Sequence, residues 1–78
     1  MARIRYTGTN RTSETITVSG VLVDPSGAWV VVLQDSAGNT VFQARGDGNN
    51  SFYAPLHDTW EGVNCTTATN VGAIIIYQ

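Results

Sequence analysis

Apolar residues along this chain fall in short runs, and turn formers separate the runs. Residues 28–45 organise the pattern: two runs rich in β-branched and aromatic residues flank the cluster Asp35, Ser36, Ala37, Gly38, Asn39, which reads as a β-hairpin. Trp29, Val30, Val31, Val32 and Leu33 are apolar at every position. A strand with water on one face alternates, so this run predicts a strand covered on both faces, at the centre of a sheet or sandwich or partly under another chain. Ile4 and Tyr6 alternate with Arg3, Arg5 and Thr7 as a short first strand, and a polar loop over 8–13 follows. Ile16 and Val18 alternate with Thr15, Thr17 and Ser19 until Gly20 interrupts the phase, the mark of a bulge or bend by which a strand serves two sheets or turns a barrel corner.

Asp24, Pro25, Ser26 and Gly27 form a compact turn signal, and 45–50 form another. A short strand at 51–54 is stopped by Pro55, which favours an edge or a strand end. Residues 56–62 read as a loop or one helical turn anchored by Trp60. Strand composition returns at 63–69, a turn is expected at 70–72, and 73–77 form a final strand apolar on both faces. That strand is either an exposed edge covered by a second chain or one inserted centrally. The expected fold is all-β, one domain spanning 1–78, a small antiparallel sandwich or barrel of about six or seven short strands.

Composition narrows the function. A chain of 78 residues has a small core, and such domains usually add a staple. With one cysteine, Cys65, and one histidine, His57, neither an internal disulfide nor a His/Cys zinc cluster can form. Oligomerisation or docking on a larger partner is the remaining route to stability. Four arginines, no lysine and a net charge of −2 give no basic patch for nucleic acid. No apolar run is long enough for a transmembrane helix, and the first residues lack an apolar signal core, so cytoplasmic synthesis is the expectation.

The chemical motifs are short, and each has a plain alternative. Arg45, Gly46 and Asp47 match the tripeptide of integrin-binding loops, although Gly and Asp belong in turns anyway. Asp47, Asn49 and Ser51 space oxygens as a calcium loop does, but Phe52 stands where the loop needs Gly and Asp58 where it needs Glu. His57, Asp58, Glu61 and Cys65 are close in sequence, yet the chain has little body for a water-excluding catalytic pocket. Asn10, Asn49 and Asn64 begin formal glycosylation sequons that chance explains in an Asn/Thr-rich chain. Trp29, Trp60, Phe52 and Tyr53 are candidates for a sugar-stacking platform or, more commonly, for the core. No enzyme activity, metal or cofactor is expected.

Taken together, the 35–39 hairpin turn, the short strand closed by Pro55, the 60–63 stretch and the terminal strand with Ile74, Ile75, Ile76 and Tyr77 resemble the small β-rich accessory proteins of tailed-phage particles, the capsid decoration or cement proteins. The resemblance is one of pattern and carries no site residue. It implies a structural protein of the virion, made in the host cytoplasm, that forms homo-oligomers, commonly trimers in such families, and packs on a lattice such as a major capsid protein. The interface candidates, read from the apolar runs, are Val30, Val32, Ile74, Ile75, Ile76, Tyr77 and Trp60. The alternative is a small carbohydrate- or host-surface-binding β module that uses the 45–51 loop, with Arg45, Asp47 and Asn49 as its loop candidates and an exposed Trp60 or Tyr53 beside them.

Overall fold

A computed structural model describes residues 3–6 and 11–78, with side chains from Ser13 onward. The chain is all-β, as expected, but its strands are fewer and longer. They are β1 (Arg3–Tyr6), β2 (Arg11–Gln34), β3 (Thr40–Gly46) and β4 (Phe52–Tyr77), joined in one sheet of order β1-β4-β2-β3. The six or seven separate strands of a sandwich or barrel are therefore corrected to one continuous sheet. The polar loop expected over 8–13 is corrected at its end, because β2 already runs from Arg11; Thr7 and residues 8–10 lie outside the described residues. The loop or helical turn expected over 56–62 is strand throughout.

The strands fuse because bends replace turns. β2 passes through Asp24, Pro25, Ser26 and Gly27 without leaving the sheet, and Pro25 still pairs with Val71. Opposite this bend β4 bends too, at Asn70, whose φ of 55° lies in the left-handed region that Asn tolerates better than most residues. The side chains then supply hydrogen bonds across the two bends. Asn70 Nδ2 donates to the Ala28 carbonyl at 2.6 Å, and Ser26 Oγ donates to the Asn70 carbonyl at 3.2 Å. Backbone groups that a bend would strip of ladder partners are thereby satisfied locally. A second bend in β4 falls at Gly62, buried with φ 90°, a conformation open chiefly to glycine.

These bends let β4 wrap around β2. Partner numbers fall along β4 as they rise along β2, so each paired stretch runs antiparallel. Arg11 to Val23 pair with Asn64 back to Phe52, Val30 to Gln34 with Thr69 back to Asn64, and Gly20 to Pro25 with Tyr77 back to Val71. The middle of β2 is therefore bonded on both edges: Val21 pairs with Ala54 and Ile76, and Leu22 with Tyr53 and Ile75. The terminal stretch of β4 is held between β2 and β1, where Ile4 pairs with Ile76 and Tyr6 with Ile74. Of the two positions open for that strand, it takes the central one.

The core lies inside this wrap. Ile16, Val18, Val21, Val23, Trp29, Val31 and Leu33 from β2 meet Trp60, Val63, Cys65, Ile74 and Ile76 from β4. Buried positions are even-numbered before Gly20 and odd-numbered after it, so the expected phase break is real: one residue slips and the opposite set of side chains turns inward. The same slip occurs in β4 between Trp60 and Val63, at Gly62.

The β2–β3 turn is fixed by one carboxylate. Asp35 accepts hydrogen bonds from the Ala37 and Asn39 amides at 3.0 and 2.9 Å and from Asn39 Nδ2 at 3.3 Å, while Gly38 takes φ 88°. The Ser36 amide donates to the Glu61 carbonyl at 2.9 Å and ties the turn to β4. The Asn39 amide bond, joined by its side chain and the Ala37 and Gly38 amides against an opposing loss of hydration, holds the Asp35 carboxyl below its usual value. A lowered folded-state pKa contributes stability above the unfolded value of 3.8, and that stability is lost as pH falls through the folded value. Acid titration followed by NMR should show Asp35 protonating below pH 3.8, and Asp35→Ala should remove the turn's share of the acid sensitivity; a normal titration would show the turn open in solution.

Candidate functional site

With alternate side chains buried, the other set faces out, and part of that outer set is apolar. Leu22 is half-buried between Tyr53 on one neighbouring stretch and Ile75 on the other. One step along, Gly20 sits between Pro55 and Tyr77. The Tyr53 ring leans over Gly20, where a β-carbon would strike its Oη and Cζ, and meets the Tyr77 ring edge-on at 6.0 Å and 69°. Tyr53 is 51 % exposed, while Ile75 and Tyr77 are half-buried. Ser19 Oγ donates to the Tyr77 carbonyl at 3.3 Å at the rim. The result is an outward apolar face of Leu22, Tyr53, Ile75 and Tyr77, built from three stretches far apart in sequence.

Of the interface candidates from the sequence, this face contains Ile75 and Tyr77. Ile74, Ile76 and Trp60 are 1 %, 0 % and 1 % exposed and belong to the chain's own core. Trp60 is anchored there by its indole, whose Nε1–H donates to Asp58 Oδ2 at 3.1 Å. Val30 and Val32 are half-buried on the outer side of β2, where Val30 borders an open groove of about 530 Å³ with Gln43, Ala44 and Arg45. The strand 29–33 is hydrogen-bonded on both edges, by β3 and by β4, and its outer side is covered only in part.

The loop candidates converge on no ligand geometry. Arg45 is the next-to-last residue of β3, Asp47 and Asn49 are exposed in the turn beyond it, and Gly46, which ends β3, lies against Trp29. A β-carbon at Gly46 would strike the Trp29 indole at Nε1 and at Cε2, the latter 2.9 Å away, so packing alone requires glycine here. Trp29 is 4 % exposed, and its ring lies 5.4 Å from that of Phe52 at a tilt of 48°, so little room is left for it to yield. Gly46→Ala should therefore cost about 1–3 kcal/mol. Gly20→Ala displaces only the exposed Tyr53 ring and should cost about 1 kcal/mol. Urea unfolding of the two variants checks the order; equal losses would show that Trp29 is mobile.

The remaining motif residues stand apart. Phe52 begins β4, and six residues of extended chain, roughly 20 Å at the usual rise, carry Asp58 away from the 47–51 turn. The Asp58 carboxylate is occupied by the Thr59 amide and the Trp60 indole. Cys65 is 1 % exposed, its thiol directed at the Thr67 carbonyl 3.5 Å away, and burial pushes its pKa up. His57 is exposed, so the two do not form a nucleophile pair. Among the described residues no group of three His, Cys, Asp or Glu side chains is placed to hold a metal ion. Asn49 is exposed, Asn64 is half-buried within β4, and Asn10 lies outside the described residues.

Sequence reasoning missed Leu22 as a member of the outer face and weighed Tyr53 as a sugar-stacking or core aromatic rather than as part of a contact between copies. The available signal was the phase break at Gly20, which assigns Leu22 to the face opposite Val21 and Val23. Comparison of the chain with protein-family models, with curated proteins and with solved structures finds no match in any of the three.

Proposed function

We propose that the chain is a non-enzymatic structural protein whose copies associate through the outward apolar face and together pack on a larger protein assembly. The observation that carries this reading is the cluster of Leu22, Tyr53, Ile75 and Tyr77, which the chain's own elements leave partly open. Solvent-facing apolar clusters gain free energy when a second surface covers them, at roughly 25 cal/mol for each Å² removed from water. A single such contact is weak, but many repeated in a closed lattice reinforce one another. In the form suggested by the sequence's resemblance, the assembly is a capsid lattice, the partner a major capsid protein and the location a virion.

The carbohydrate-binding alternative loses one of its two aromatic candidates, because Trp60 is interior, and keeps the other, Tyr53, which is 51 % exposed. Ile75→Asp tests the preferred reading. Ile75 is half-buried on the outer face, so the variant is expected to fold and to lose association, seen as a fall in solution mass. An oligomer of unchanged mass would remove this face from the interface.

A further inference from the structure

We propose that β3 is a second contact between copies, pairing edge to edge with β3 of another chain in an antiparallel ladder centred on Ala44. This rests on the reading of the chain as self-associating but uses a different surface.

β3 ends the sheet, and among the described residues it is paired on one edge only, to β2. A free strand edge offers a row of N–H and C=O groups that another strand edge can satisfy in register. Natural edges are guarded by proline, lysine, bulges or charge. β3 has no proline and no lysine, and its one charge is Arg45. Its bulge is at the start: Leu33 pairs with Phe42 and Gln34 with Thr40, so Val41 is the extra residue. Phe42 to Gly46 remains as a regular stretch whose one guard is the Arg45 charge.

That stretch is self-complementary about its centre. A two-fold through Ala44 sets Gln43 opposite Arg45 of the second copy, and Phe42 opposite its Gly46. Gln43 and Arg45 are both exposed, and a side-chain amide oxygen can accept from a guanidinium. A two-fold through Arg45 would instead oppose two like charges, which is destabilising. Five residues make less contact than a standard interface, so this pairing is concentration-dependent and is strengthened when a lattice holds copies close together.

The test is disulfide trapping in the full chain, with Ile75→Asp also present so that the apolar face does not contribute. Chains carrying Gln43→Cys are mixed with chains carrying Arg45→Cys under mild oxidation. The expected result is a mixed disulfide far above the twofold excess over each homodimer that random pairing of equal pools gives, because only residues 43 and 45 are opposed. In the same background Gln43→Lys should weaken association roughly tenfold, since the symmetry repeats the Lys–Arg repulsion twice. A mixed disulfide at no more than the 1:2:1 proportion of random pairing, or association unchanged in Gln43→Lys, would overturn the β3 contact while leaving the apolar-face reading standing. Wild-type chain that stays monomeric at every concentration would overturn both.

Discussion

Trp60→Ala is expected to leave the chain unfolded. Trp60 is the largest fully buried side chain, 1 % exposed, and it lies where β4 pairs with Ile16 of β2. Truncating a buried tryptophan removes its transfer free energy and leaves a cavity, together about 3–5 kcal/mol. Domains are stable by only about 5–15 kcal/mol, and a chain of 78 residues sits near the low end. Far-UV and near-UV circular dichroism should show loss of both strand signal and fixed aromatic packing. Trp60→Phe is the control. It keeps most of the ring volume and gives up the bond to Asp58, at a cost of about 1–2 kcal/mol, and should fold. A normally folded Trp60→Ala would mean that the wrap of β4 around β2 is wrong.

The second large effect separates the two faces of one strand. Val31 is fully buried, between Ala44 of β3 and Ala68 of β4 in register. Val31→Asp puts a carboxylate there, and a buried unpaired charge costs several kcal/mol even after relaxation, enough to abolish folding. Val30, one residue away, is half-buried and lies opposite Arg45. Val30→Asp gains a cation across the strands, and its cost should stay near 1 kcal/mol. Thermal melts of the pair decide the matter. Similar collapse of both would mean that the outer side of β2 is as dry as the inner side.

That contrast also marks how far the sequence could be read. The period-two pattern places Ile16 and Val18 inward, and Gly20 flags the phase break. An unbroken apolar run such as 29–33 gives no alternation, so the sequence could not say which of Val30 and Val31 is interior. The fusion of strands was hidden because it depends on partners far away: Ser26 and Asn70, separated by 44 residues, join the two bends. Turn formers at 24–27 look the same in sequence whether the chain leaves the sheet or only bends. Trp60 stands among Asp58, Thr59, Glu61 and Gly62, a polar setting that resembles a loop; its burial goes with its pairing to the inward-facing Ile16 of β2. The outer face was the hardest to foresee, since Leu22, Tyr53 and Ile75 become neighbours only when β4 has passed along both edges of β2.

The two surfaces have different chemistry. The outer face is apolar and aromatic, and the β3 edge offers backbone hydrogen bonds with Gln43 and Arg45 as its polar flank. Two distinct contacts per copy can extend an assembly where one would close it into a pair. The proposed self-association would rest on a rigid sheet that holds both surfaces in place.

The most direct measurement is the solution mass of the wild-type chain at rising concentration, by light scattering coupled to size exclusion, alongside Ile75→Asp and with circular dichroism on the same fractions. Self-association through the outer face predicts a folded wild-type oligomer and a folded Ile75→Asp chain of lower mass. A folded wild-type monomer at every concentration would contradict it.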